Sequence, residues 1–105
     1  MPNNMSDNKS QRRTDQRFKF DADKPMMDLI PPKAIIRLGR VMTHGYFEYG
    51  EGETWRNVEQ CRYVAALLRH LLDHMSGDYY DKKSGMPHLW HVLANAAFLA
   101  EYADE

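Results

Sequence analysis

Apolar side chains recur along this chain in three helical patterns. In residues 33–48, KAIIRLGRVMTHGYFE, Ile35, Leu38, Met42 and Tyr46 follow one another at steps of three and four, which an α-helix gathers on one stripe. The pair Pro31 and Pro32 bars helix at the residue before it but suits a first helical turn, so the first helix is predicted to start there and to end at Gly50 and Gly52. A second helix is predicted after Asn57 as N-cap, with Cys61, Val64, Ala65, Leu68, Leu71, Leu72 and Met75 as its core stripe and Gly77 as its stop. The third enters through Ser84, Gly85 and Pro87 and carries Leu89, Val92, Leu93, Ala96, Leu99 and Ala100. No run alternates with a period of two, so a sheet has no members. The expected class is all-α, a small three- to four-helix bundle.

Residues 1–17 carry no apolar side chain after Met5 and read as a flexible polar tail, which leaves 18–105 as one helical domain. A domain this small buries a modest fraction of its surface, so self-association into a homo-oligomer is expected. The formal net charge is -1, which argues against general nucleic-acid binding, because phosphate affinity needs a basic surplus. The local cluster Arg12, Arg13, Arg17 and Lys19 reads as a solubilising tail. The single cysteine, Cys61, cannot form an internal disulfide and is expected as a small core residue in a reducing cytoplasm. No apolar stretch approaches the roughly 20 residues of a membrane span and no signal-peptide core is present, so a soluble cytoplasmic protein is expected.

The candidate chemistry lies where polar groups interrupt these stripes. His88, His91 and Asn95 form a narrow strip bordering the apolar face of the third helix. On the second helix Glu59, Tyr63, His70 and His74, with Asp73 beside them, occupy the face opposite the leucines, either a solvated back or a cleft. Neutral imidazoles are common ligands for divalent metals, and Asp73, Asp78 or Asp81 would complete such a site. The same histidines with Arg69 could instead hold phosphate oxygens, while Asn95 reads a base or ribose edge. The spacing of His70, Asp73 and His74 is not a zinc-protease signature.

A motif order runs through these residues. Asp28, Leu29, Ile30, Pro31 and Pro32 open it, then Gly45, Tyr49 and Gly50, then Trp55, Arg69 and His70, and finally Asp-x-x-Ser-Gly-x-Pro-His-x-x-His-x-x-x-Asn from Asp81 to Asn95. In this order the chain resembles the phage dATP/dGTP diphosphohydrolase-like domain family over residues 18–102. It departs from the family pattern at Glu48, where a lysine usually precedes the Tyr-Gly turn. The resemblance implies an all-α protein that takes purine deoxynucleoside triphosphates and splits them into monophosphate and pyrophosphate with a divalent ion, Mg or Mn. On that reading His70 and His88 are catalytic, and Asp81, His88 and His91 hold the metal. Tyr49, Trp55, Arg69 and Asn95 bind the substrate. Two alternatives remain open: a non-catalytic binder that sequesters nucleotides or nucleotide signals, and a helical interaction protein.

Overall fold

The computed structural model describes residues 24–50 and 54–103. The expected tail, 1–17, lies outside them. A single turn of 3-10 helix, Met27–Leu29, leads through Pro31 into α1, Pro32–Tyr49. Helix α2 spans Gln60–Met75 and α3 spans His88–Tyr102, with a further 3-10 turn at Thr54–Asn57. The class is all-α, as the periodicity requires. Among the described residues no strand forms, and none of the helices is long and apolar enough to cross a membrane.

Proline starts α1 as expected, and the Ala34 amide donates to the Pro31 carbonyl at 3.1 Å. Gly50, at φ 95°, ends it, and its amide returns to the Tyr46 carbonyl at 2.8 Å. The second start differs from expectation. Asn57 lies in the 3-10 turn and Glu59 occupies the N-cap position of α2 without a side-chain cap.

Helix α3 is the element on which both others pack. Its Ala94 is 1% exposed, small enough to let a neighbouring backbone approach. The α2–α3 seam is aromatic at one end: Tyr63 lies against Phe98 with ring centroids 4.8 Å apart, and Trp55 stacks on Phe98 at 5.4 Å. Such pairs contribute about 0.5–1.5 kcal/mol each beyond the area they bury. Two tyrosine hydroxyls stitch the 3-10 turn to the helices, Tyr63 donating to the Trp55 carbonyl and Tyr102 to the Arg56 carbonyl at 2.9 Å. Trp55 thus has the packing partner that its size demands.

This seam reverses the expected orientation of α2. Val64, Leu68, Leu72 and Met75, read as core, are 45%, 48%, 60% and 71% exposed, and Cys61 is exposed as well. The inward face carries Tyr63 and His70 instead, because α3 offers each of them a specific partner: Phe98 for the Tyr63 ring and His88 for the imidazole. Periodicity marks an amphipathic helix but does not say which face its neighbour takes when the polar face can be satisfied pairwise. On α1 the buried residue is Val41, beside the expected stripe, whereas Ile35 and Tyr46 are exposed.

Because α1 and α2 both lean on α3 rather than on each other, a gap stays open between them. Two outcomes follow from this arrangement. Cys61 should react with a thiol reagent at nearly the rate of a free thiol in native protein dilute enough to be monomeric, and protection until unfolding under those conditions would contradict the outward stripe. Gly39 sits mid-helix with open space where a methyl group would stand, so Gly39→Ala should raise stability by about 0.5–1 kcal/mol, read from denaturant midpoints.

Candidate functional site

The site is assembled by two turns that glycine makes possible. At the end of α2 the Gly77 amide donates to the His74 carbonyl at 3.1 Å and the Asp78 amide to the Asp73 carbonyl at 3.0 Å. This is a Schellman turn with Gly77 in the left-handed region at φ 95°. The chain then folds back on itself before α3. The Asp81 amide donates to the Met86 carbonyl and the His88 amide to the Tyr79 carbonyl, both at 2.8 Å, and Gly85, at φ 75°, closes the bend by donating to the Asp81 carbonyl at 2.7 Å. Asp81 Oδ2 accepts the Ser84 amide at 2.8 Å. The loop is therefore a fixed support that holds Asp81, Ser84 and His88 against the helices.

Three histidines meet there. His88, 4% exposed, places Nδ1 2.8 Å from Nδ1 of His70. His70 in turn stacks on His91, with centroids 4.6 Å apart and planes within 16°. Nε2 of His91 lies 2.7 Å from Ser84 Oγ and 3.7 Å from Asp81 Oδ2. Asn95, buried at 8% exposure, donates from Nδ2 to the His91 carbonyl at 2.7 Å, so it braces the helix beneath the cluster. Two ring nitrogens at hydrogen-bond distance need one proton between them, so one of His70 and His88 donates and the other accepts.

Burial first, and then the neighbouring His88, push the His70 imidazole below its ordinary range against the pull of Asp81. Burial and then His70 do the same to His91. Burial of Asp81 works to raise its pKa, but the hydrogen bonds from Ser84, followed by His91 and His70, outweigh it and hold the carboxyl below its usual range. Near neutral pH His70 and His91 are thus unprotonated imidazoles beside a carboxylate, the state that metal binding or proton acceptance needs.

Above the cluster lies a cavity of about 690 Å³ between α1 and α2, floored by α3. The sequence-predicted residues Tyr49, Trp55, Arg69, His70, Asp81, His91 and Asn95 all line it. His88 stands behind His70 in the wall. Residues that the sequence reading did not assign also line it, among them Arg62, Lys83, Ser84, Phe98 and His44. Lys83 Nζ donates to the Tyr49 hydroxyl at 2.8 Å and lies 5.1 Å from the centre of that ring. It brings a positive charge to the Tyr-Gly turn, where Glu48 stands instead of the expected lysine. Ser84 was visible as the serine of the Asp-x-x-Ser-Gly motif, whereas nothing in the local spacing singled out Lys83. Trp55 has Phe98 stacked on its ring and Arg56 4.4 Å from its centre, so it serves as wall more than as an open platform.

A divalent ion fits these donors. His70, Asp81 and His88 each present a ligand atom, and the three atoms lie within 4.8 Å of one another. Imidazole nitrogen with carboxylate oxygen suits borderline first-row ions such as Mn²⁺ or Zn²⁺. His91 stands apart from that set, since its Nε2 is engaged with Ser84. The buried Nε2 of His88 has no hydrogen-bond partner. An orphan of this kind costs about 1–3 kcal/mol when nothing satisfies it.

Comparison with known proteins gives the chain's family. The family described as dATP/dGTP diphosphohydrolase, N-terminal, matches residues 14–105. The chain belongs to this family. It is also 28% identical over 82 residues to a protein of Salmonella phage PMBT28 named dATP/dGTP diphosphohydrolase, covering 78% of this chain but 28% of that relative. The chain thus spans little more than a quarter of the relative's length. No solved structure matches it.

The lowered histidines carry a pH signature. Below about pH 6.5 the unfolded chain takes up protons at His70 and His91 that the folded chain resists, so the unfolded state binds more and stability falls as pH falls. This contribution is complete above about pH 6.5, and the Asp81 contribution persists until pH falls below about 3.9. Urea midpoints measured from pH 7.5 to 5 should therefore decline, and His70→Asn, which keeps a polar group toward His88, should flatten the decline. A wild-type midpoint independent of pH over this range would contradict the burial of the cluster.

Proposed function

We propose that the cavity takes a purine deoxynucleoside triphosphate and that water cleaves the bond between its α- and β-phosphates, giving the monophosphate and pyrophosphate. The observation that carries this reading is the convergence of His70, His91 and Asp81, with His88 behind His70, at the floor of a nucleotide-sized cavity lined with cations and aromatics. The family and the phage relative's name support it. Arg62, Arg69 and Lys83 supply positive charge for the phosphates. The base lies toward Tyr49 and Trp55, with purine reading at the end of the cavity bounded by those rings.

His70, Asp81 and His88 would hold a divalent ion, Mg or Mn in the simplest case, which when bound neutralises charge on the phosphate oxygens. His91 is the group suited to accept a proton from the attacking water, through the Ser84 hydroxyl 2.7 Å from its Nε2. The lowered pKa of His91 keeps it available for that task. Asn95 fixes the backbone beneath it, a positioning role beside the base or ribose reading expected from sequence. Self-association belongs to the same reading: the outward Val64, Leu68, Leu72 and Met75 stripe is the face that a second copy with the same stripe would cover.

Capture without turnover is favoured by one observation: Asp81 is the only carboxylate among the described residues that line the cavity. Hydrolases that rely on hard ions usually gather several. Incubation with dATP or dGTP and Mg²⁺ or Mn²⁺, followed by a pyrophosphate assay, separates the two. Turnover should appear in the wild type and fall by about 100-fold or more in His91→Gln. Tight nucleotide binding with no pyrophosphate released would replace hydrolysis by sequestration.

A further inference from the structure

His70 accounts for one ring nitrogen of His88 and leaves the other facing away from it. Nε2 of His88 points to the outer end of α2, where it lies 3.8 Å from Asp73 Oδ2 and 3.6 Å from Asp78 Oδ2. Both separations exceed a hydrogen bond, and the atom is buried without a partner. The three donor atoms lie within 4.8 Å of one another. The carboxylates themselves are 53% and 54% exposed, so they can turn and their open side can admit water.

Neither tautomer of His88 resolves this on its own. If His88 donates from Nδ1 to His70, a bare nitrogen lone pair confronts two carboxylates. If His88 accepts at Nδ1, its Nε2 proton stops short of both oxygens. A cation satisfies the first case, because it accepts the lone pair and neutralises the two acids together. Bond lengths of about 2.0–2.2 Å would set tetrahedral donors about 3.4 Å apart. The two gaps from His88 Nε2 are only slightly wider, and exposed carboxylates can close them.

We propose that Asp73, Asp78 and Nε2 of His88 form a second divalent-metal site, outside the cavity, for a borderline first-row ion of the Zn²⁺ or Co²⁺ type. The Schellman turn at Gly77 builds it by folding Asp78 back over Asp73. An ion there fixes the proton of His88 on Nδ1 and turns His88 into a donor toward His70, leaving Nε2 of His70 as the protonated nitrogen. The outer ion therefore sets which nitrogens the cluster presents to the cavity. A neutral imidazole offers one lone pair, so His88 serves the outer ion or an inner one but not both. The site rests on its own geometry and competes with the inner ion of the proposed function, since with the outer site filled neither His70 nor His88 offers the cavity a lone pair.

The full chain titrated with Co²⁺ near neutral pH tests this, with binding read from visible absorption and calorimetric stoichiometry. Circular dichroism and melting serve as fold controls. The wild type should bind Co²⁺, and Asp73→Asn/Asp78→Asn should weaken binding by at least about tenfold, the low end of what even indirect metal partners cost. Asp81→Asn should retain the outer ion. The assignment is overturned if Co²⁺ does not bind the wild type, or if the double variant binds as the wild type does, whatever Asp81→Asn does. Pyrophosphate release does not enter this readout, so the outer site and the hydrolytic reading fail separately.

Discussion

The contact between Nδ1 of His70 and Nδ1 of His88, 2.8 Å long and buried where α2 meets α3, decides how the molecule is put together. An imidazole with 4% exposure must have its nitrogens answered, and His70 answers one of them only if α2 turns its polar face inward. That choice commits Tyr63 to Phe98 at the other end of the seam and sends Val64, Leu68, Leu72 and Met75 outward. The same choice leaves α1 to pack mainly on α3, with the cavity open above the histidines. Fold and candidate site thus depend on one hydrogen bond between two like side chains.

Much of the fold could be read in the sequence because it rests on local rules. Paired prolines set the start of α1, Gly50 its end, and Gly77 and Gly85 the two left-handed positions that shape the loop. The helix count followed from periodicity. What periodicity could not supply was the rotation of α2, because its leucines form the cleaner stripe while its histidine and tyrosine find specific partners only in three dimensions. The expected N-cap at Asn57 failed for a related reason: Trp55 packs on Phe98 and draws that stretch into a 3-10 turn, so the helix begins at Gln60.

The candidate site was legible to a similar extent. The strip of His88, His91 and Asn95 marked the face of α3 that meets α2, and His70 was on the matching face. The separate tasks of these groups were not legible, since they depend on which nitrogen points where. His91 is tied to Ser84, Asn95 to the backbone, and His88 divides its nitrogens between the cavity side and the acidic end of α2. Lys83 reaches Tyr49 across 34 residues of chain, a relation that no local motif encodes. The family's name supplies the nucleotide context of the proposed function.

The most direct measurement of the central contact is a long-range nitrogen–proton NMR correlation of the histidine side chains in the uniformly labelled protein. A shared proton between His70 and His88 requires one ring to carry it on Nδ1 and the other to leave Nδ1 bare, with that proton protected from solvent exchange. Finding both rings as solvent-exchanging Nε2–H tautomers would mean that the two imidazoles do not meet, and the inward orientation of α2 would have to be abandoned.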